Sequence, residues 1–247
     1  MMEGKIEKRV RRQILVGRLA VFLTAFLTFL AIRLLRYRVR NLKAFREQIK
    51  GFWREHDGPW LICPNHLTMI DSVVVAWALA PLREYLVHFH RLAWNLPERD
   101  NFQKNPVLAV LCYLTKCLPV HRRGSREEVR ETLDTCAFLL NRGESIVIFP
   151  EGGRSRTGRV DRERVSYGVG RLYTQNENCR ILCLHIRGDG QKTWSDIPKP
   201  GERFTAAAAV LRPDPGNRGL RAQRACAEEI MEKLIQMEEA WFLGPGK

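Results

Sequence analysis

Acidic residues are in short supply: 27 Asp and Glu face 41 Lys and Arg across 247 residues, a formal charge of +14. That imbalance calls for an anionic partner, whether nucleic acid, a membrane face or a phosphorylated substrate. A disulfide framework is also missing. The seven cysteines (63, 112, 117, 136, 179, 183 and 226) are odd in number and scattered in apolar settings, which suits reduced thiols in a cytoplasm-facing domain. Neither Cys112, Cys117 and His121 nor Cys179, Cys183 and His185 has paired CxxC spacing, so both sets read as core residues and no metal site is expected. No GxSxG elbow occurs, which removes the usual serine nucleophile. There is no internal repeat and no low-complexity tract. No charge-free run reaches the roughly 20 residues of a comfortable membrane span.

What the chain does have is charge concentrated at one end. Thirteen of the Lys and Arg but only three acidic residues fall within residues 1–50. The same segment holds the longest charge-free run, Leu19–Ile32 (LAVFLTAFLTFLAI), closed by Arg18 and Arg33. Basic flanks around an apolar run point to anionic lipid rather than nucleic acid. At about 1.5 Å per residue the run reaches roughly 21 Å, short of a hydrocarbon core of roughly 30 Å. Lys5, Lys8, Arg9, Arg11 and Arg12 precede it and Arg36, Arg38 and Arg40 follow it, so the positive-inside rule keeps both flanks cytoplasmic. Residues 1–56 are therefore expected to be a basic, hydrophobic membrane-anchoring segment, re-entrant or in-plane, on the cytoplasmic face of the cell membrane. Residues 57–247 are expected to be one globular domain. Ile32-Arg33-Leu34-Leu35-Arg36 offers no small-residue site for signal cleavage.

Leu42, Phe45, Ile49 and Phe52 recur at helical spacing over 41–56. From Trp60 onward short apolar runs alternate with longer helical stretches, the pattern of an α/β fold with a mainly parallel central sheet flanked by helices. Strands are expected near 60–64, 85–89, 117–121, 145–149, 180–186 and 203–211. Helices are expected near 69–80, 106–115, 125–142, 162–175 and 219–240. Ser125 and Glu128 have capping-box spacing and Gly143 suits the left-handed position after the helix. Ala227, Ile230, Leu234, Met237 and Trp241 form a core face on the last helix.

Two segments carry chemistry. Asn65-His66-Leu67-Thr68-Met69-Ile70-Asp71 follows one strand and precedes a helix, the place where sites gather in open α/β sheets. A His and an Asp five apart would lie about 140° apart on a regular helix, so they meet only if His66 sits on the turn before it. The pair would then be an imidazole oriented by a carboxylate, with one nitrogen free to take a proton from an alcohol. Phe149-Pro150-Glu151-Gly152-Gly153-Arg154-Ser155 follows another strand. Its glycines let backbone N–H groups approach an anion, and its guanidinium can hold two phosphate oxygens.

In this order the two segments resemble the glycerolipid acyltransferase family, whose signatures are an NHxxxxD block and a later FPEGxRS block. Both are complete here, as Asn65, His66 and Asp71 and as Phe149, Pro150, Glu151, Gly152, Arg154 and Ser155, and the usual hydroxyl inside the first block is Thr68. A third block looks like Leu118-Pro119-Val120-His121-Arg122, with His121 where the family has an acidic residue and Arg123 beside Arg122 as a substitute. Asn101-Phe102-Gln103-Lys104-Asn105-Pro106 is similar to the family upstream. Leu182-Cys183-Leu184 departs from the family's apolar-Pro-apolar triplet. The resemblance covers about 60–190 and implies an O-acyltransferase of the 1-acylglycerol-3-phosphate type, which makes phosphatidic acid for phospholipid synthesis.

The resemblance further implies that His66 is the general base and Asp71 its orienting partner. Arg154, Arg122 and Lys104 would contact the acceptor phosphate. Gly152 and Gly153 would lend backbone donors, Glu151 would order the loop or an acceptor hydroxyl, and Asn65, Thr68 and Ser155 would complete the substrate site. The acyl donor would be acyl-CoA or acyl carrier protein, with no cofactor and no metal. Membrane lipids and a lysophospholipid acceptor are the expected partners, and nucleic acid is not. The altered third and fourth blocks leave a different lyso-acceptor open, such as a lyso-ornithine lipid, and a non-catalytic lipid-binding scaffold is the alternative from another class.

Overall fold

The computed structural model describes residues 2–102, 105–121, 124–214, 216 and 218–244. The elements run α1 (Met2–Leu34), β1 (Arg38–Val39), α2 (Leu42–Glu55), β2 (Trp60–Pro64), α3 (Asp71–Leu79), α4 (Leu82–Val87), a 3₁₀ turn (Phe89–Arg91), β3 (Trp94–Asn95) and α5 (Arg99–Phe102). They continue with α6 (Pro106–Leu114), α7 (Arg126–Asn141), β4 (Ile146–Val147), α8 (Gly168–Thr174), β5 (Arg180–Gly188), β6 (Arg203–Leu211) and α9 (Leu220–Leu243). The strands form one sheet in the order β1-β6-β5-β2-β4-β3. Neighbours are parallel except β5 and β6, which are antiparallel. The protein is an α/β domain with a mostly parallel sheet flanked by helices, plus a long apolar N-terminal helix.

Side-chain alternation on the strands divides the core in two. Leu61 and Cys63 of β2 join Leu139 of α7, Leu172 of α8 and Ile230 of α9 on one face. Trp60 and Ile62 join Ile49 of α2 and Val75 of α3 on the other. Every residue of β2 is buried, as expected of a central strand covered on both faces. All seven cysteines are unbridged.

Local signals account for several boundaries. Ser125 Oγ accepts from the Glu128 backbone N–H while the Glu128 carboxylate accepts from the Ser125 N–H, so α7 begins on a complete capping box. Gly143 follows α7 with φ of 81°, the left-handed conformation that ends helices. A Cβ at Gly170 would lie 1.8 Å from the Gln223 carbonyl oxygen, so glycine is what lets α8 and α9 touch through their backbones.

The expected strand at 85–89 is not formed; the chain there is α4 and the 3₁₀ turn. Its β-rich composition is overridden by contacts just outside the segment: the Tyr85 hydroxyl donates to the Ala76 carbonyl at 2.5 Å, and Arg91 pairs with Glu84. Residues 117–121 make isolated bridges through Cys117 and Val120 instead of a strand, against a sheet edge that β3 occupies for only two residues. The expected helix at 162–175 shortens to α8, because Ser166 N–H bonds the Pro150 carbonyl and holds the preceding residues as a loop. Over 145–149 only Ile146 and Val147 are strand.

The charge-free run lies within a helix of 33 residues, long and apolar enough to cross a membrane by length and composition. One face of α1 is buried at Val10, Gln13, Gly17, Val21, Thr24, Ala25 and Ile32, a single stripe of helical spacing. Gln13 donates to the carbonyls of Tyr113 and Cys117, both at 3.0 Å, serving acceptors at the end of α6. Val10 belongs to one core cluster and Ile32 to the other, so both ends of α1 are tied to the domain. The opposite face leaves Leu19 79% and Phe22 73% exposed, with Phe26, Phe29 and Leu30 beside them.

Candidate active site

The chain leaving β2 is fixed to β5 by a side chain. Asn65 Nδ2 donates to the Ile186 carbonyl at 3.1 Å and its Oδ1 accepts from the Ile186 N–H at 2.7 Å, which continues the ladder one step beyond Pro64. His66 therefore lies on a turn, and Asp71 is the first residue of α3. Asp71 Oδ2 accepts from the backbone N–H of Leu67 at 2.6 Å and of Thr68 at 2.8 Å, and stands 3.0 Å from His66 Nδ1. The Thr68 hydroxyl donates to Oδ1 at 2.5 Å. A carboxylate in the first turn of a helix also matches the positive end of the helix dipole. With Nδ1 held by Asp71, Nε2 is the nitrogen available to a substrate, and it has no hydrogen-bond partner among the described residues. The His66 side chain is 12% exposed, enough to be reached and little enough to be held.

The second segment is bonded directly to the first. The His66 ring stacks on Phe149 with centroids 4.0 Å apart and planes at 22°. His66 N–H donates to Glu151 Oε1 at 2.7 Å, and the His66 carbonyl accepts from the Ser155 N–H at 2.9 Å. Gly152 adopts φ of 65° with its N–H turned to the Phe149 carbonyl, so this donor closes the turn instead of facing a ligand. Gly153 is half-buried next to it. The Ser155 hydroxyl donates to the Arg159 carbonyl.

Glu151 is 4% exposed. Burial, reinforced by the charges of Asp71 and Glu238, pushes its carboxyl up to about 8, against the pull of the His66 and Asp161 N–H groups. Its neutral form is therefore favoured at pH 7, which limits the charge it adds beside the His66 and Asp71 couple.

Arg154 reaches outward. Its guanidinium pairs with Asp196 at 2.5 Å and lies over Trp194 at 5.1 Å, while Arg156 covers the same ring at 4.4 Å. The loop bearing Trp194 and Asp196 joins the His66 turn through Ser195 N–H to the Leu67 carbonyl and Met69 N–H to the Asp196 carbonyl. Asp196 is 62% exposed, so its pair with Arg154 is screened and open to exchange for another anion.

The structure brings His66, Asp71, Asn65, Thr68, Glu151, Gly152, Gly153, Arg154 and Ser155 together at one end of the sheet. Of their side chains Asn65, Thr68, Glu151 and Ser155 are bonded inside the protein, and Arg154 faces out. Lys104, Arg122 and Arg123 lie outside the described residues. Phe149 as the ring under the imidazole, and Trp194 with Asp196 as the partners of Arg154, were not singled out from the sequence. An aromatic directly before the Pro-Glu-Gly turn was the available signal for the first.

The acyltransferase family model matches residues 36–184. That interval contains His66, Asp71 and the loop from Phe149 to Ser155, and ends before Trp194 and Asp196.

Proposed function

The chain belongs to the acyltransferase family, and on that premise we propose that it transfers a fatty acyl group from acyl-CoA or acyl carrier protein to the free hydroxyl of lysophosphatidic acid, giving phosphatidic acid. The observation that supports this best is the His66 and Asp71 couple stacked on Phe149 of the loop that carries Arg154. His66 Nε2 takes the proton of the acceptor hydroxyl as its oxygen attacks the thioester carbonyl. Collapse of the tetrahedral adduct breaks the C–S bond, and the leaving thiolate recovers the proton from the imidazolium. Asp71 holds the ring in the required tautomer and balances the imidazolium charge. Arg154 exchanges Asp196 for the acceptor phosphate, which charge-assisted bidentate bonding favours over an exposed ion pair.

Purified enzyme given one acyl donor and a panel of lyso-acceptors should turn over lysophosphatidate. Turnover of another lyso-lipid with none of lysophosphatidate rejects this acceptor.

The acceptor and product both reside in the bilayer, and α1 supplies the seat. Its buried stripe lies along the domain and its exposed apolar stripe faces away, so α1 rests in one leaflet with its basic flanks on anionic headgroups, at about 1 kcal/mol per residue near the surface. In sealed vesicles, epitopes placed at the two ends of α1 should be reached from the same side. Access from opposite sides would make α1 a span.

A further inference from the structure

Behind the loop of Glu151–Val160, on the sheet face that packs against α9, is a cavity of about 400 Å³ lined by Arg159, Arg187, Asp189, Gln191, Lys192, Trp241 and Phe242. Nothing in the acyl-transfer chemistry uses it. Arg187 continues the alternation of Ile181 and Cys183 on β5, so its side chain faces α9. Its terminal nitrogens are fixed, one on the Gly158 carbonyl and one on the Gln191 carbonyl at 2.6 Å. The Trp241 and Phe242 rings each stand 5.0 Å from its guanidinium carbon. A planar cation is held rigidly against two aromatic walls.

Two observations point to a ligand. Arg187 Nε and Gln191 Nε2 are buried donors with no acceptor among the described residues, an arrangement that folding alone disfavours. The carboxylates beside these cations are already engaged: Asp189 with Arg40 at 2.6 Å, and Glu238 with Arg159 at 3.0 Å, with Arg187 at 3.8 Å and with the Val160 N–H. Of the lining cations Arg159, Arg187 and Lys192, the first two share the single carboxylate of Glu238, and Lys192 has no ion pair among the described residues. Surplus positive charge, unanswered donors and flat apolar walls suit a phosphate attached to an organic body.

We infer that this cavity is a second phosphate-binding site, separate from that of Arg154, for a phosphate-bearing organic anion. Its occupant is either the nucleotide end of a coenzyme A thioester or a phospholipid headgroup. Occupancy is felt at the first site, because the same loop carries both. Arg187 holds the Gly158 carbonyl, Glu238 holds the Val160 N–H, and Ser155 holds the Arg159 carbonyl one residue beyond Arg154. Gly158 has φ of 75°, and a Cβ there would meet the Lys192 carbonyl oxygen at 2.6 Å, so the two loops approach this closely only with glycine at this point. Binding here does not require that His66 be a general base.

The test is titration calorimetry on the full chain in detergent with adenosine 3′,5′-bisphosphate, short-chain phosphatidate and inorganic phosphate. The variants are Arg154→Ala and the pair Lys192→Ala with Arg159→Gln, each checked for an unchanged thermal transition. The expected result is binding of one organic probe that survives Arg154→Ala and weakens at least tenfold in the paired variant. The probe that behaves so names the source. Lys192→Ala alone, a change to an exposed side chain, should weaken it at least threefold. Absence of any binding with that pattern, or its loss in Arg154→Ala, overturns the site.

Discussion

His66→Ala is expected to lower acyl transfer by about 10²–10⁴-fold with little change in folding or vesicle binding, since this is the range that positioned acid–base chemistry supplies. The turn does not depend on the imidazole. The bonds from His66 to Glu151 and Ser155 use its backbone N–H and carbonyl, which alanine retains. Asp71 would still accept from Leu67, from the Thr68 N–H and from the Thr68 hydroxyl. The ring stack on Phe149 is lost, worth about 0.5–1.5 kcal/mol, so the melting temperature should fall by only a few degrees. Initial rates at matched protein concentration, thermal unfolding by circular dichroism and flotation with anionic vesicles measure the three quantities separately. Rates equal to wild type in a folded, membrane-bound variant would remove the general-base role.

The parts of this protein legible in its sequence are those whose signals are local. The strands at 60–64 and 203–211 coincide with β2 and β6 because continuous apolar runs bounded by polar turns need no distant information. The start of α7 follows from Ser125 and Glu128 alone. Strands β1 and β3 have two residues each, too few for any periodicity, and exist because a sheet edge is there to pair with. Tyr85 becomes helical through an acceptor on α3, which its own segment does not announce. The same division runs through the site. The spacing of His66 and Asp71 stated its own condition, that the histidine precede the helix, and the turn meets it. That Asp71 also gathers two backbone N–H groups could not be read from spacing, nor could the partner of Arg154, which arrives from 42 residues away.

Raising the pH from 5 to 9 is expected to weaken the wild-type fold through Glu151, and Glu151→Gln should remove that component. The carboxyl sits near 8 in the folded protein against an ordinary value of 4.5. Between those values the folded state keeps a proton that the unfolded chain gives up, so the contribution to stability is fully present below about 4.5 and declines as pH climbs, levelling off above about 8. At roughly 1.4 kcal/mol per pH unit the effect is of order a few kcal/mol. His56 and His90, whose burial lowers their values, work in the opposite direction over the same window, so the quantity to compare is the difference between the wild-type and Glu151→Gln profiles. Glutamine keeps an oxygen for the His66 N–H and is neutral at every pH. Urea unfolding should give equal stabilities at pH 5 and a more stable variant at pH 9; parallel profiles would show that Glu151 titrates normally. The physical reason for a neutral acid here is burial, with the charge of Asp71 a smaller contribution. A second carboxylate bonded to the backbone of His66 would compete with Asp71 for the field at the imidazole, and burial keeps Asp71 the one charged group that orients it. Glu151→Gln should accordingly retain acyl transfer to within about tenfold at pH 7, whereas Glu151→Ala, which leaves the His66 N–H without its acceptor, should lose more.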